Sequence, residues 1–188
     1  MEGVALRTDN LVRVIVATNA DQLQEAFAVR AICFMEDTGI SMRRAFDGND
    51  FQATHVVVYA GEEPIGAARI RWFSGFAKIE RSAFRKAYRN PRFLKQAAHF
   101  IFDHAARKGY PQVTTLARRD YAVMWIRLLG FREIAKRAPI IREGEEYLQL
   151  VKDILPRNDA ISLDSDPNMQ MRIEGAWDVA TPFEGELA

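Results

Sequence analysis

Cysteine is nearly absent from this 188-residue chain. Cys33 stands alone, which excludes an internal disulfide and a cysteine-rich metal site. Its neighbours Val29, Ile32 and Phe34 are apolar, so it reads as a small buried hydrophobe rather than a nucleophile. Long apolar runs are missing too. No stretch approaches the roughly eighteen residues of a membrane span, and no leader pattern opens the chain, so the expectation is a soluble, cytoplasmic protein with no membrane partner. Net charge is close to zero, with 26 basic against 25 acidic residues, which gives no general attraction to nucleic acid. Two further absences coincide. Between Glu80 and Asp103 there is no acid, and between Gly75 and Gly109 no glycine. Six basic residues occupy that interval: Arg81, Arg85, Lys86, Arg89, Arg92 and Lys95.

What is present supports one well-cored α/β (α+β) domain over residues 1–154 and a tail over 155–188 that is mobile or packs by short contacts such as Ile173 and Trp177. Val12 to Ala17 is a β-branched strand, and Thr18-Asn19-Ala20-Asp21 opens a helix to about Phe34. The polar stretch 36–52 reads as a loop. Strands over 54–59 and 65–73 flank Gly61-Glu-Glu-Pro64, and Ser74-Gly75 turns into a third strand over 77–84, giving three consecutive antiparallel strands. Pro91 suits a first helical position for an amphipathic helix over 92–108. A strand over 113–117, a helix over 120–129 stopped by Gly130, and a closing hairpin of 131–141 with 147–151 complete the order β-α-β-β-β-α-β-α-β-β.

The basic interval therefore joins a strand to a helix N-terminus. Free backbone N–H groups, the helix dipole and arginine side chains there favour a phosphate.

Specific residues make this order resemble the GNAT (N-acetyltransferase) superfamily from about Val12 to Ile154. Val29-Arg30-Ala-Ile-Cys-Phe34-Met-Glu36-Asp-Thr-Gly39 resembles the stretch after the family's first helix, and Asp47-x-x-Asp50-x-x-x-x-His55 the entry to its second strand. Ile65-Gly66-Ala-Ala-Arg69-Ile is similar to its third strand, and Leu128-Leu-Gly130-Phe131 to its closing motif. The resemblance implies an N-acyltransferase taking acetyl-CoA or another acyl-CoA and a small amine. Acyl-phosphopantetheine on an acyl carrier protein is a second donor, and a homodimer is open. It implies donor contacts at Ser82, Ala83 and Phe84, and a pyrophosphate loop at Arg89, Asn90, Pro91, Arg92, Phe93, Leu94 and Lys95.

At that loop Arg89 matches the family pattern, whereas Arg92 and Leu94 replace its small residues, so backbone approach to a diphosphate is crowded. The resemblance implies Glu80 as general base, its pKa raised by partial burial; an ion pair with Lys78 or Arg81 is the competing reading. The position of the family's tyrosine acid is Ile126, which cannot donate a proton; Tyr121 is the substitute to examine. Arg119 stands where asparagine is usual.

Glu36, Asp47, Asp50 and His55 match no standard metal spacing, so no metal is expected; a loop that binds a cationic acceptor is preferred. His99 and His104 read as exposed or half-buried helix positions rather than catalytic groups, and Trp125 as core. A GNAT-like scaffold that binds without catalysing is the second functional class, because fold does not fix chemistry.

Overall fold

The computed structural model describes residues 12–135 and 137–185. The first eleven residues of the expected domain and the last three of the tail lie outside the described residues.

An eight-stranded, mostly antiparallel sheet with helices packed against it forms a mixed α/β fold. Strand β1 (Val12–Val16) leads to α1 (Ala20–Ala31), capped by Asn19, whose side chain accepts from the Gln22 N–H. The helix does not simply end near Phe34; Ile32–Glu36 continues as a π-helical turn, in which the Asp37 N–H reaches the Ile32 carbonyl at 3.0 Å. The expected loop that follows contains two short helical turns, α2 (Met42–Ala45) and a 3-10 turn over Asn49–Gln52.

Strands β2 (Thr54–Ala60), β3 (Glu63–Phe73) and β4 (Phe76–Phe84) then form the antiparallel meander. Helix α3 (Pro91–Arg107) follows, capped by the Asn90 side chain accepting from the Arg92 N–H at 2.9 Å. Next come β5 (Gln112–Arg118) and α4 (Arg119–Leu129), which stops at Gly130 in the left-handed region, φ 74°.

The closing region differs from expectation. A single strand over 131–141 is replaced by two short ones, β6 (Arg132–Glu133) and β7 (Ile140–Arg142), both pairing with β8 (Glu145–Asp153). Pro139 immediately before β7 offers no N–H for a continuous ladder.

Sheet order is β1-β2-β3-β4-β5-β8-β6, and the β4–β5 pair is parallel while the others are antiparallel. Both faces are covered. Helices α3 and α4 cover Val56, Ile70, Ile79 and Leu150, with Trp125 and Phe131 in the same cluster. Helix α1 covers the other face through Ala26, Val29 and Cys33 against Val57, Ala67 and Ala83.

The segment after β8 runs along α3. Arg157 pairs with Asp103, Asp159 with Arg107, and the Ile161 N–H reaches the Arg107 carbonyl at 2.8 Å. After the short helix α5 (Pro167–Met171), the Trp177 ring stacks on His104 at 4.8 Å and 19°. His104 is therefore fully buried, at 4 % exposure, rather than exposed or half-buried, and it bonds Glu174 at 3.0 Å. No helix among the described residues is long and apolar enough to cross a membrane.

Candidate active site

The parallel pairing of β4 and β5 covers three residue pairs and stops at Ile79–Thr115. Beyond it β4 continues to Phe84 and β5 to Arg118, so the strands part. The cause is local to β4. Its register against β3 shifts between Ala67 and Arg69, and Arg81 adopts φ 53°, a left-handed conformation that a residue with a Cβ takes only when its surroundings fix it. This bulge bends β4 away from β5.

The expected donor residues assemble beside that parting. Ser82 and Phe84 line a small apolar cavity of about 10 Å3 with Ile79, Leu94, Ala98 and Trp125. Ala83 alternates to the opposite face and packs with Val29 and Cys33. Gly66 makes room for Phe84: a Cβ there would lie 2.6 Å from the ring. At the mouth, Arg89 donates through Nε to the Phe84 carbonyl at 3.1 Å and pairs with Asp37. Phe93 is buried, Leu94 half-buried, and Arg92 and Lys95 are exposed. Leu94 thus stands in the wall of the cavity, where the family's small residue would leave space.

Glu80 lies on the other face of β4, in a buried ion network. Cross-strand register aligns His55, Arg69 and Glu80 in one row across β2, β3 and β4. The Arg69 guanidinium, 1 % exposed, donates to Glu80 at 2.5 and 3.1 Å, to Asp47 at 2.7 and 3.0 Å and to Asp50 at 3.0 Å. Arg30 of α1, fully buried, donates to Asp50 at 2.6 Å and to the Ala45 carbonyl at 2.5 Å. Its guanidinium lies over the rings of Phe46 and Phe27 at 4.8 and 5.4 Å. Arg81 adds a bond to Asp47 at 2.8 Å, and Lys78 one to Glu80 at 2.7 Å.

The network corrects the expected electrostatics of Glu80. Burial alone would raise its pKa, but the bonds from Lys78 and Arg69 outweigh burial and hold the carboxyl below its ordinary value. Glu80 is ionised and paired at neutral pH. The Asp47 carboxyl is likewise held well below the usual range by Arg69. Asp47 and Asp50, in the loop expected to bind a cationic acceptor, are occupied by the protein's own arginines. Among the described residues no group of three or more His, Cys, Asp or Glu side chains could hold a metal.

Tyr121 is not brought to this cavity. It is 53 % exposed in the first turn of α4, and the Arg118 guanidinium lies over its ring at 4.8 Å. Ile126 packs against the core, and Arg119 pairs with Glu146. Sequence reasoning missed the joint role of Arg30, Arg69, Asp47 and Asp50. The signal was an arginine inside the apolar strand Ala67-Ala68-Arg69-Ile70, which demands a buried partner.

Known proteins share this architecture. No protein-family model matches the chain. A Bacillus subtilis (strain 168) protein, the uncharacterized N-acetyltransferase YjcF, is 28% identical over 141 residues, covering 75% of this chain and 99% of its own length. A candidate N-acetyltransferase from Lactobacillus plantarum, known as a crystal structure, superposes with a TM-score of 0.71 at 23% identity, over 78% of this chain and 100% of that one. A Bacillus subtilis acetyltransferase solved in complex with CoA gives 0.60 at 14% identity, over 77% and 100%. The sheet order and these superpositions give the chain the fold of these acetyltransferases, and over 141 residues it is similar in sequence to an N-acetyltransferase relative, spanning 99% of that relative's length.

Proposed function

We propose that the protein is an N-acyltransferase that moves an acyl group from a coenzyme A thioester to a small amine. The observation that carries this reading is the end of β4–β5 pairing at Ile79–Thr115, beside a basic turn and the N-terminus of α3. A pantetheine arm would pair with unpaired main chain of β4 near Ser82 and Phe84. Its phosphates would meet the α3 N-terminus with Arg89 and Arg92. Leu94 narrows the entrance, so the arm must lie over its side chain or move it.

In the reaction the amine nitrogen attacks the thioester carbonyl, the C–S bond breaks, and the thiolate leaves. Glu80 is the proposed proton acceptor, acting through water. With its pKa held down it is a weak base, so the amine's own ionisation governs the rate more than Glu80 does. No acid stands at Ile126; a thiol of pKa about 8.5 leaves without one, at a cost of roughly 10²- to 10⁴-fold. Tyr121 receives no role, because it lies exposed under Arg118.

One observation favours a carrier-protein donor as the second reading. Arg85 and Arg89 are paired with Glu63 and Asp37, but Lys86, Arg92 and Lys95 are exposed and make no ion pair among the described residues. An acidic partner would complement them. Titration calorimetry with acetyl-CoA, a long-chain acyl-CoA and an acyl carrier protein, followed by a thiol-release assay over an amine panel, separates the readings. Binding with release supports transfer, and the preferred donor identifies its source. Binding without release identifies a non-catalytic module, and no binding of any donor refutes both donor readings.

A further inference from the structure

We infer that the C-terminal segment is a clasp: residues 172–177 grip both ends of the excursion that carries Arg30, Asp47 and Asp50, and so hold that excursion on the buried Arg69. The excursion leaves the sheet after Val16, passes through α1 and the segment 42–53, and rejoins it at Thr54. Its two ends are neighbours, since Val16 pairs with Val56 and the Ala17 N–H reaches the His55 carbonyl at 2.8 Å. The clasp touches both. Gly175 lies so close to Val16 that a Cβ there would stand 2.8 Å from Val16 Cγ2, and Glu174 Oε1 accepts from Thr54 Oγ1 at 2.9 Å.

The core fastens the clasp from the other side. His104 Nε2 and Lys108 Nζ of α3 lie 3.0 and 2.9 Å from the same Glu174 oxygen, and the Trp177 ring covers His104. Trp72 of β3 donates through Nε1 to Thr54 Oγ1 at 2.9 Å, so Thr54 is held between the sheet and the clasp. Within the clasp, Arg172 donates to the Trp177 carbonyl at 2.6 Å and to Glu184 at 2.6 and 3.0 Å, which closes residues 172–177 into a loop. Its contacts are therefore made or lost as a unit.

What the clasp holds reaches the ion network. Asp47 and Asp50 belong to no strand; Asp50 lies in the 3-10 turn just before β2, and its carbonyl faces His55 Nε2, next to Thr54, at 2.9 Å. Where Thr54 sits thus sets where the two carboxylates meet Arg69, whose Nε donates to Glu80. The clasp and the network are coupled through one element with two states, engaged or lifted. None of residues 172–177 lines the donor cavity, so the inference holds with or without acyl transfer.

Two variants of the full chain test it. Gly175→Val sets a branched side chain against Val16 at a backbone φ of 84°, and Trp177→Ala removes the ring stacked on His104. Amide hydrogen exchange read by mass spectrometry should run about tenfold faster over residues 42–53 in each variant, the factor that the loss of one bond to a charged group corresponds to. Protection in β5 and β8 and the circular dichroism should stay as in the wild type. The Arg69 Nε–H, bonded to Glu80 at 3.1 Å, should exchange faster by a similar factor in nitrogen-resolved NMR, an effect that a segment merely packed on α3 would not produce. Wild-type exchange over 42–53 in both variants, faster exchange spread equally over β5 and β8, or an unmoved Arg69 signal would each overturn the inference.

Discussion

Replacing Arg69 by methionine removes one buried cation from the row that joins β2, β3 and β4. Five hydrogen bonds to Glu80, Asp47 and Asp50 are lost together. Breaking a buried pair by removing one member costs about 3–5 kcal/mol, because the remaining charge stays buried. Here each carboxylate keeps one cation: Lys78 for Glu80, Arg81 for Asp47 and Arg30 for Asp50. The lower end, about 3 kcal/mol, is therefore expected at pH 7. For a chain of this size that corresponds to a fall in Tm of roughly 6–12 °C. The pH dependence fixes the cause. In the native protein the Glu80, Asp47 and Asp50 pKa values are depressed, so their stabilisation is present above the unfolded carboxylate pKa and is lost as pH falls through the folded values. In Arg69→Met the same carboxyls are less depressed, so the deficit against wild type should hold from pH 7 to about pH 4 and shrink as the pH falls further through the folded values. Urea unfolding followed by tryptophan fluorescence and circular dichroism measures both quantities. A deficit below about 1 kcal/mol at pH 7, or one that is still unchanged at about pH 2, would refute the reasoning.

Three further outcomes follow from the same structure. Gly66→Ala places a methyl 2.6 Å from the Phe84 ring and should cost about 1–3 kcal/mol by overpacking, with weaker donor binding because Phe84 lines the cavity; thermal unfolding and calorimetry read the two effects. Because the Glu80 pKa is lowered, kcat/KM for amine acylation should rise with pH along the titration of the amine, with no inflection in the ordinary carboxylate range; such an inflection, lost in Glu80→Gln, would contradict the assigned electrostatics. Burial would raise the Glu174 pKa, but bonds from His104, Lys108 and Thr54 bring it down to about 2, so docking of the C-terminal segment should hold above about pH 5 and weaken as pH falls toward that value. Limited proteolysis within residues 155–172 at graded pH should show cleavage growing on acidification, and Glu174→Gln should remove the dependence.

The order of elements was legible because each is marked locally. Asn19 and Asn90 cap helices, Gly130 ends one, and apolar residues recur with the period of the element they belong to. The junction proposed for the donor was legible as a local arrangement for the same reason, since strand, basic turn and helix N-terminus are contiguous in the chain. The buried network was not. Arg30, Asp50 and Arg69 come from different elements, and their meeting depends on cross-strand register and on how the 42–53 segment folds back over α1. That is also why the Glu80 pKa was expected to move the wrong way: burial could be inferred from a strand position and the Lys78 ion pair stood as the competing reading, but the second cation, Arg69 across the sheet on β3, was not anticipated. The break between β6 and β7 carried a readable signal in Pro139.

The central claim is that the donor enters where β4 and β5 part. Amide chemical-shift mapping of the 15N-labelled protein with coenzyme A tests it most directly. The account predicts the largest changes at Ser82, Phe84 and Arg89 and along the first turn of α3 from Arg92 to Lys95. No change on addition of coenzyme A, or changes confined to other parts of the sheet, would contradict it.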